Sequence, residues 1–248
     1  MSAYTIEAPA VPRKTPLRRI VDVARIQTVN WQALIAWPFG ILAGTFLINI
    51  VVFAVLSDGP PTQARVTGAV VSIYIISAVT HLQTITQLFP FALGISITRR
   101  AFYAGTALVA VVQAMLFGLG LTLLALVERA TDGWGLRLSF FQVGFMHQDN
   151  LIAQWVTFTV PFIALSAIFV FAGVVFKRWG QPGVFVMGLS FGVLLALLVV
   201  VISWQRWWPA VGSFFAGSSP LALFAGYPWV IVVLAGGAGY LFLRRATP

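Results

Sequence analysis

Long apolar runs separated by short polar or basic stretches set the pattern of this chain. Six runs contain no Asp, Glu, Lys or Arg, and each is long enough to cross about 30 Å of hydrocarbon as an α-helix. They lie at Ala33–Leu56, Thr67–Pro90, Phe102–Val127, Ala153–Phe176, Val184–Trp204 and Tyr227–Leu243. Because a charge at the centre of a spanning helix costs about 2.5–3.5 kcal/mol, this pattern predicts an all-α membrane protein with six transmembrane helices.

The basic residues are distributed unevenly between the two sides of these predicted spans. With the N-terminus on side one, eleven basic residues fall on side one and four on side two, which holds Arg65, Arg129, Arg137 and Arg206. Loops rich in Lys and Arg stay in the cytoplasm. We therefore predict a multi-pass protein with both termini cytoplasmic and with Arg99 and Arg100 in a cytoplasmic loop.

The composition supports the membrane assignment. Of the 248 residues, 60% are hydrophobic and 8% are charged, whereas about a quarter of a soluble domain is charged. A net charge of +9 would suggest a nucleic-acid partner in a soluble protein, but here the basic residues flank apolar runs, so no nucleic-acid partner is expected. The chain has no cysteine, which excludes disulfides and thiolate metal sites.

Residues 1–30 form a predicted cytoplasmic segment that precedes a six-helix transmembrane domain at residues 31–248. Thr15 and Pro16 suit the cap and the first position of a helix. One face of that helix is apolar and the other is charged. The apolar face comprises Leu17, Ile20, Val21, Ala24 and Trp31, and the charged face comprises Arg18, Arg19, Asp22 and Arg25. The pattern predicts an amphipathic helix in the membrane surface; a basic flank that only sets topology is the alternative.

Motifs that would indicate catalysis are missing. The sequence has no G-x-x-x-x-G-K-[ST] phosphate-binding loop, no H-E-x-x-H and no paired carboxylates within the apolar runs. His81 and His147 are the only histidines, and the predicted topology places them at different depths. We therefore expect no catalytic residues and no metal site in this chain.

The second predicted span is the most polar of the six. Its polar side chains fall within an arc of about 140° on a helix with 3.6 residues per turn. They are Tyr74, Ser77, Thr80, His81, Thr84 and Gln87. Polar side chains in a span face protein or water rather than lipid. Two interpretations stay open, hydrogen bonds between helices and the wall of a substrate cavity.

Two further features concern helix packing and the outer loops. Gly188 and Gly192 form a G-x-x-x-G pattern, which lets two helix backbones approach closely, either within the chain or at a dimer seam. The predicted outer loops at Glu128–Ile152 and Gln205–Gly226 are rich in aromatic residues, as is typical of a membrane interface. The second of these loops is a candidate for short helices that dip back into the membrane.

The stretch FPFALGISITRR, Phe89–Arg100, predicts a docking element. Pro90 would end the second span, Gly94 permits a turn, and Thr98 could cap the third span. The residues between Pro90 and Thr98 are too apolar for an ordinary solvated loop, and an exposed apolar element usually has a partner. Arg99 and Arg100 could then meet acidic groups on that partner, or they could serve only to fix topology.

Four motifs resemble those of a known family: FPFALGISITRRAFYAGT, VFKRWGQPG, WQRWWPAVG and the terminal LRRATP. With them the chain resembles, over nearly its whole length, the small six-span permease subunits of exporter-class ABC transporters, especially a family common in high-GC Gram-positive bacteria. Relatives often carry an acidic residue after the paired arginines, where this chain has Ala101. The resemblance implies an elbow helix before the first span, a coupling helix between the second and third spans, and re-entrant helices between the fifth and sixth.

The resemblance also implies a function. The chain would be the permease subunit of an ATP-driven exporter in a bacterial cell membrane, moving a hydrophobic or amphipathic substrate such as a drug, a lipid or a peptide. Its partners would be a cytoplasmic ATPase subunit, which binds ATP and Mg²⁺, and a second permease subunit, identical or related. The coupling loop would comprise Phe89, Pro90, Phe91, Leu93, Gly94, Ile97, Arg99 and Arg100, and a second cytoplasmic loop Lys177, Arg178 and Trp179.

Two other classes of protein stay open at this point. One is a non-transporting membrane subunit, such as a sensor or an assembly factor. The other is an intramembrane enzyme, which would need polar residues converging from several spans, whereas only the second span is markedly polar. A neighbouring coding sequence with a phosphate-binding loop would favour the exporter over both.

Overall fold

The computed structural model of the chain describes residues 15–55 and 65–244. The segment before Thr15, the predicted end of the first span at Leu56, and Arg245 lie outside these ranges. The helices are α1 (Pro16–Thr28), α2 (Trp37–Val55), α3 (Val71–Gln83), α4 (Phe89–Gly94), α5 (Arg99–Ala130), α6 (Leu151–Trp204), α7 (Trp208–Gly217) and α8 (Pro228–Leu243). Wider helical turns at Gln32–Ala36, Thr84–Leu88 and Ala222–Gly226 lead into α2, α4 and α8.

The predicted fold class, an all-α membrane protein, is confirmed. Four helical segments of the described ranges are long and apolar enough to cross a membrane: Gln32–Val55, Arg99–Ala130, Leu151–Trp204 and Ala222–Leu243. The third of them contains two of the predicted apolar runs in 54 residues, which is more than twice the roughly 20 residues that one crossing needs. The run Thr67–Pro90 is not among the four, because its polar side chains dilute its apolar character.

The sequence suggested that Pro90 would end the second predicted span, but in the structure it does not. Helical structure continues from Val71 through the wider turn Thr84–Leu88 and α4 to Gly94. Pro90 is the second residue of α4. A proline in the first turn of a helix costs little, since its missing N–H would have no intrahelical acceptor there. The wider turn Thr84–Leu88 lies just before Pro90, so that a new first turn begins with α4.

The break within α6 is confined to Gly180. This glycine has φ 67° and ψ −159°, a conformation that is open almost only to glycine. Lys177, Arg178 and Trp179, which were predicted to form a cytoplasmic loop, instead lie in the last helical turn before the break. A single glycine therefore replaces the predicted loop, because it alone can supply the required turn of the backbone.

The first part of α6, from Leu151 to Trp179, is the centre of the packing. It contacts α3, α5 and α8, and a Cβ atom at Gly118 of α5 would collide with Thr159 of α6. One buried cluster contains Phe117, Leu121, Phe140, Phe158 and Phe162, and a second contains Val23, Ile85, Phe89, Phe102, Val174 and Leu243. By contrast, nearly every residue from Gln181 to Trp204 is exposed.

Two short strands tie the segment before α3 to the segment after α5. Strand β1 (Arg65–Val66) pairs in parallel with β2 (Leu138–Ser139), with Arg65 opposite Leu138. The pairing continues through a hydrogen bond of 3.2 Å from the Thr67 N–H to the Ser139 carbonyl. These strands hold the loop after α5 against the start of α3.

Candidate functional site

Helix α4 has one buried side and one open side. Phe89 and Ala92 are almost fully buried, whereas Phe91 is 58% exposed and Ile95 is 49% exposed. Ser96, with φ 63°, turns the chain towards α5, and the Thr98 hydroxyl accepts a hydrogen bond from the Ala101 N–H at 3.3 Å. The predicted cap at Thr98, at the start of α5, is therefore confirmed.

Basic side chains from three segments gather beside α4. The Arg99 guanidinium donates a hydrogen bond of 3.0 Å to the Arg244 carbonyl, at the end of α8. Arg178 lies over the ring of Phe242, 5.5 Å from its centroid, and Arg100 is exposed. We call this region, comprising Arg99, Arg100, Arg178 and Arg244, the basic end of the molecule.

The structure separates the roles of the two adjacent arginines. Arg99 satisfies a carbonyl group at the C-terminus of α8, where backbone carbonyls lack an intrahelical partner. Arg100 makes no such bond among the contacts of the described residues. Nothing in the sequence distinguished the two residues. In the structure, only Arg100 of the pair is wholly available to another molecule.

Helix α1 packs against the first turns of α5. A Cβ atom at Gly105 would approach Val23 Cγ1 to 2.6 Å, and the Gln27 amide donates a hydrogen bond of 2.8 Å to the Thr106 hydroxyl. The predicted helix is confirmed, but its buried face is centred on Val23 and Gln27. Leu17 and Val21, which belong to the predicted apolar face, stay exposed, as suits side chains that would contact lipid.

The polar face of the second helical run divides into two groups. Tyr74, Ser77 and His81 are buried in the helix packing, and the Tyr74 hydroxyl donates to the Phe158 carbonyl at 3.1 Å. Thr80, Thr84 and Gln87 instead line a cavity. Hydrogen bonding between helices, one of the two interpretations, is therefore seen for Tyr74, and a substrate cavity at Thr80, Thr84 and Gln87 stays a prediction.

This cavity lies between α1 and the second helical run and has a volume of about 200 Å³. Its remaining lining residues come from the junction of α1 with α2 and from the second run: Ile26, Gln27, Asn30, Ala33, Leu34, Gln83 and Leu88. None of the lining residues is charged. The Oε1 atom of Gln27 is buried without a hydrogen-bond partner in the part of the chain that the structure describes, so an acceptor is available there.

The opposite end of α5 is organised by a buried carboxylate. Glu128 is 0% exposed, and its carboxylate accepts hydrogen bonds from the Trp134 indole and from the backbone N–H groups of Phe140, Phe141 and Gln142, at 2.8–3.2 Å. Sequence reasoning missed this role. The one available signal was an acidic residue that follows a long apolar run directly.

The candidate dimer seam has no neighbour among the residues that the structure describes. Gly188 and Gly192 lie in the exposed part of α6, and nothing lies within 4 Å of a Cβ atom built at either glycine. Of the two alternatives raised by the sequence, close packing within the chain is therefore not seen for these residues. The seam with a second subunit stays a prediction.

The regions described above differ in the chemical groups that they present. In residues 15–55 and 65–244 no three His, Asp or Glu side chains are grouped so that they could hold a metal ion. The chain instead presents an exposed apolar helix at a basic end, an uncharged polar cavity and a loop fastened to a carboxylate. Comparison with family models, with curated proteins and with solved structures finds no match.

Proposed function

We propose that this chain is the permease subunit of an ATP-driven exporter of the ABC class. The observation that carries the proposal is the exposure of Phe91 in helix α4, and of Ile95 directly after it, beside the basic end. An exposed apolar patch rimmed by polar groups is typical of a protein interaction site. A cytoplasmic ATPase with an apolar cleft and an acidic rim would fit this surface.

The proposed topology has six spans and cytoplasmic termini in a bacterial cell membrane. Three spans correspond to Gln32–Val55, Arg99–Ala130 and Ala222–Leu243. The helical run from Val71 to Gly94 supplies another, and α6 supplies two that meet at Gly180. In this arrangement Arg99, Arg100, Lys177, Arg178 and Arg244 all lie in the cytoplasm, as their positive charge favours.

The proposed mechanism passes movement through α4. Phe89 and Ala92 are packed into the cluster that contains Phe102 of α5 and Leu243 of α8. A displacement of α4 by the closing ATPase would therefore be transmitted to both helices, since packed side chains move together. A second permease subunit would cover the exposed part of α6 at Gly188 and Gly192, and the transported molecule would be hydrophobic or amphipathic.

Co-purification tests the docking surface directly. The chain would be co-expressed with a separate ABC ATPase subunit that carries a phosphate-binding loop, and the bound ATPase would be measured after affinity purification of the permease. We expect Phe91→Ala to reduce the bound ATPase at least tenfold, because about 25 cal/mol is lost for each Å² of apolar surface no longer buried.

Phe145→Ala is the matched control, because Phe145 is 64% exposed but lies in the loop beyond Glu128. This variant should retain the ATPase in full. Equal retention by Phe91→Ala and by the parent would remove the basis of the proposal. Reporter fusions at Asp132 and Thr247 should read opposite compartments, and a shared compartment would contradict the six-span topology.

A further inference from the structure

A second cavity lies against the same junction of α1 and α2 that forms the polar cavity. It is an apolar groove of about 350 Å³ between this junction and the middle of α5. Its lining residues include Leu34, Phe39, Val109, Val112 and Leu116. Leu34 lines both the groove and the polar cavity. An uncharged polar cavity and an apolar groove therefore adjoin at one side chain.

The polar cavity offers both donors and acceptors of hydrogen bonds. Gln27 contributes the unpartnered Oε1, and the Asn30 side chain accepts from the Ala33 N–H through Oδ1, which leaves its amide N–H₂ group to donate. The Thr80 and Thr84 hydroxyls donate to helix carbonyls, so their oxygen lone pairs can accept. A ligand with hydroxyl groups, which both donate and accept, satisfies this set.

The charge and size of the cavity further restrict the class of ligand that can bind there. A charged group would lie there without a counter-ion among the lining residues, and burying an unpaired charge is very costly. The volume of about 200 Å³ corresponds to roughly six or seven water molecules at about 30 Å³ each. That is below the range of about 300–1,000 Å³ for pockets that enclose a drug-sized molecule, but it can take a lipid headgroup.

We infer that the junction of α1 and α2 binds a membrane lipid with an uncharged, hydroxyl-bearing headgroup. The headgroup occupies the polar cavity beside Gln27 and Gln87, and an acyl chain follows the apolar groove past Leu34 and Val112. The exposed Leu17 and Val21 of α1 suit a helix at the membrane surface, where such headgroups lie. Lipid binding at this site does not depend on an ATPase partner, so this inference and the exporter proposal can each be refuted without the other.

Lipid binding to the purified full chain tests the inference. Native mass spectrometry in detergent would compare a monoglucosyl diacylglycerol with a phosphatidylglycerol of identical acyl chains, and methyl glucoside would serve as the headgroup alone. We expect the glucosyl lipid to bind at least tenfold more tightly than the anionic lipid, and the free glucoside not to bind measurably. Equal binding of the two lipids, or tight binding of the free glucoside, would overturn the inference.

Two variants with matched controls locate the site. Gln87→Leu should weaken binding of the glucosyl lipid about tenfold, which corresponds to the loss of one or two hydrogen bonds. Gln205→Leu, at an exposed glutamine outside both cavities, should leave binding unchanged. Gln87 is preferred to Gln27 because Gln87 is exposed and makes no hydrogen bond within the described ranges, whereas Gln27 also bonds Thr106.

The groove is tested by filling it. Val112→Trp should weaken binding of both lipids at least tenfold, whereas Val111→Trp, on the neighbouring position of α5 that does not line the groove, should have no effect. Both tryptophan variants should elute as single monodisperse species, which shows that the fold is retained. Unchanged lipid binding by a monodisperse Val112→Trp or Gln87→Leu would overturn the assignment.

Discussion

The two ends of helix α5 differ. Its C-terminal end leads into a loop that folds back over the buried carboxylate of Glu128, whereas its N-terminal end lies beside the short helix α4, which has exposed apolar side chains. At the Glu128 end, Phe140 and Phe141 are buried and three of the loop's backbone N–H groups reach the carboxylate. At the basic end, Phe91 and Ile95 are exposed. The same types of side chain are thus enclosed at one end and presented at the other.

This difference separates a region that encloses its own apolar side chains from a region that leaves them exposed, where the proposed partner would bind. The Glu128 end satisfies its own polar groups and buries its own aromatic rings, so mutations there should act on folding. The basic end leaves apolar area open although its backbone is well fixed, so mutations there should act on association. Each prediction below compares a residue of one kind with a residue of the other, or two neighbours with opposite surroundings.

The largest effect is expected at Glu128. Glu128→Ala would leave buried backbone N–H groups and the Trp134 indole without an acceptor, and each such loss costs about 1–3 kcal/mol. We expect the free energy of unfolding to fall by about 5 kcal/mol, measured by denaturant titration in detergent. Asp132→Ala removes an exposed acid of the same loop and should cost less than about 1 kcal/mol. Equal losses for both variants would mean that the carboxylate does not organise the loop.

A pair of phenylalanines in α4 gives the next largest effect. Phe89→Ala should lower the free energy of unfolding by about 3–4 kcal/mol, because Phe89 is only 1% exposed and a cavity would remain. Phe91→Ala should change it by less than about 0.5 kcal/mol, because this ring is largely exposed. The same titration applies to both variants. A similar loss at the two positions would contradict the division of α4 into a packed side and an open side.

A smaller effect is expected at the start of α5. Thr98→Ala removes the hydroxyl that accepts from the Ala101 N–H, and loss of such a cap costs about 1 kcal/mol. Thr98→Ser keeps the hydroxyl and should restore most of that stability. If serine is no better than alanine, the hydrogen bond at 3.3 Å contributes nothing measurable.

The smallest effect distinguishes the two adjacent arginines. Arg99→Gln should lower the free energy of unfolding by about 0.5–1 kcal/mol, because it weakens the bond to the Arg244 carbonyl. Arg100→Gln should leave stability unchanged and reduce ATPase co-purification modestly, more at low salt than at high salt, since salt already screens exposed charges. The reverse pattern would show that Arg100, not Arg99, holds the fold together.

Most of the helices could be predicted from the sequence, because a long apolar run indicates a helix buried in lipid or protein, whichever neighbours it packs against. The cap at Thr98 was also predictable, since capping is a local interaction. Pro90 was expected from the sequence to end a helix. That expectation was wrong because the wider turn before Pro90 depends on contacts with α6, which is distant along the chain. The break at Gly180 was likewise hidden, because the gap between the apolar runs Ala153–Phe176 and Val184–Trp204 suggested a loop.

The candidate sites were less predictable than the helices. The polar arc of the second helical run was visible from the sequence, but which of its residues face a cavity depends on the position of α1. Gln27 and Asn30, which complete that cavity, lie in a segment whose pattern indicated only a surface helix. Glu128 stood out only as the first residue of an outer loop, because nothing local shows that backbone N–H groups from further along the loop converge on it.

The hydrogen bond from Arg99 to Arg244 has a consequence for the timing of assembly in the cell. Its partners are separated by 145 residues, and the Tyr103 hydroxyl and the Gly236 carbonyl, which also bond, are separated by 133. A ribosome that adds about 5–20 residues per second takes roughly 7–30 seconds to cover the longer of these distances. The basic end therefore acquires its final form only after α8 has been made, so a nascent or truncated chain would lack the finished basic end.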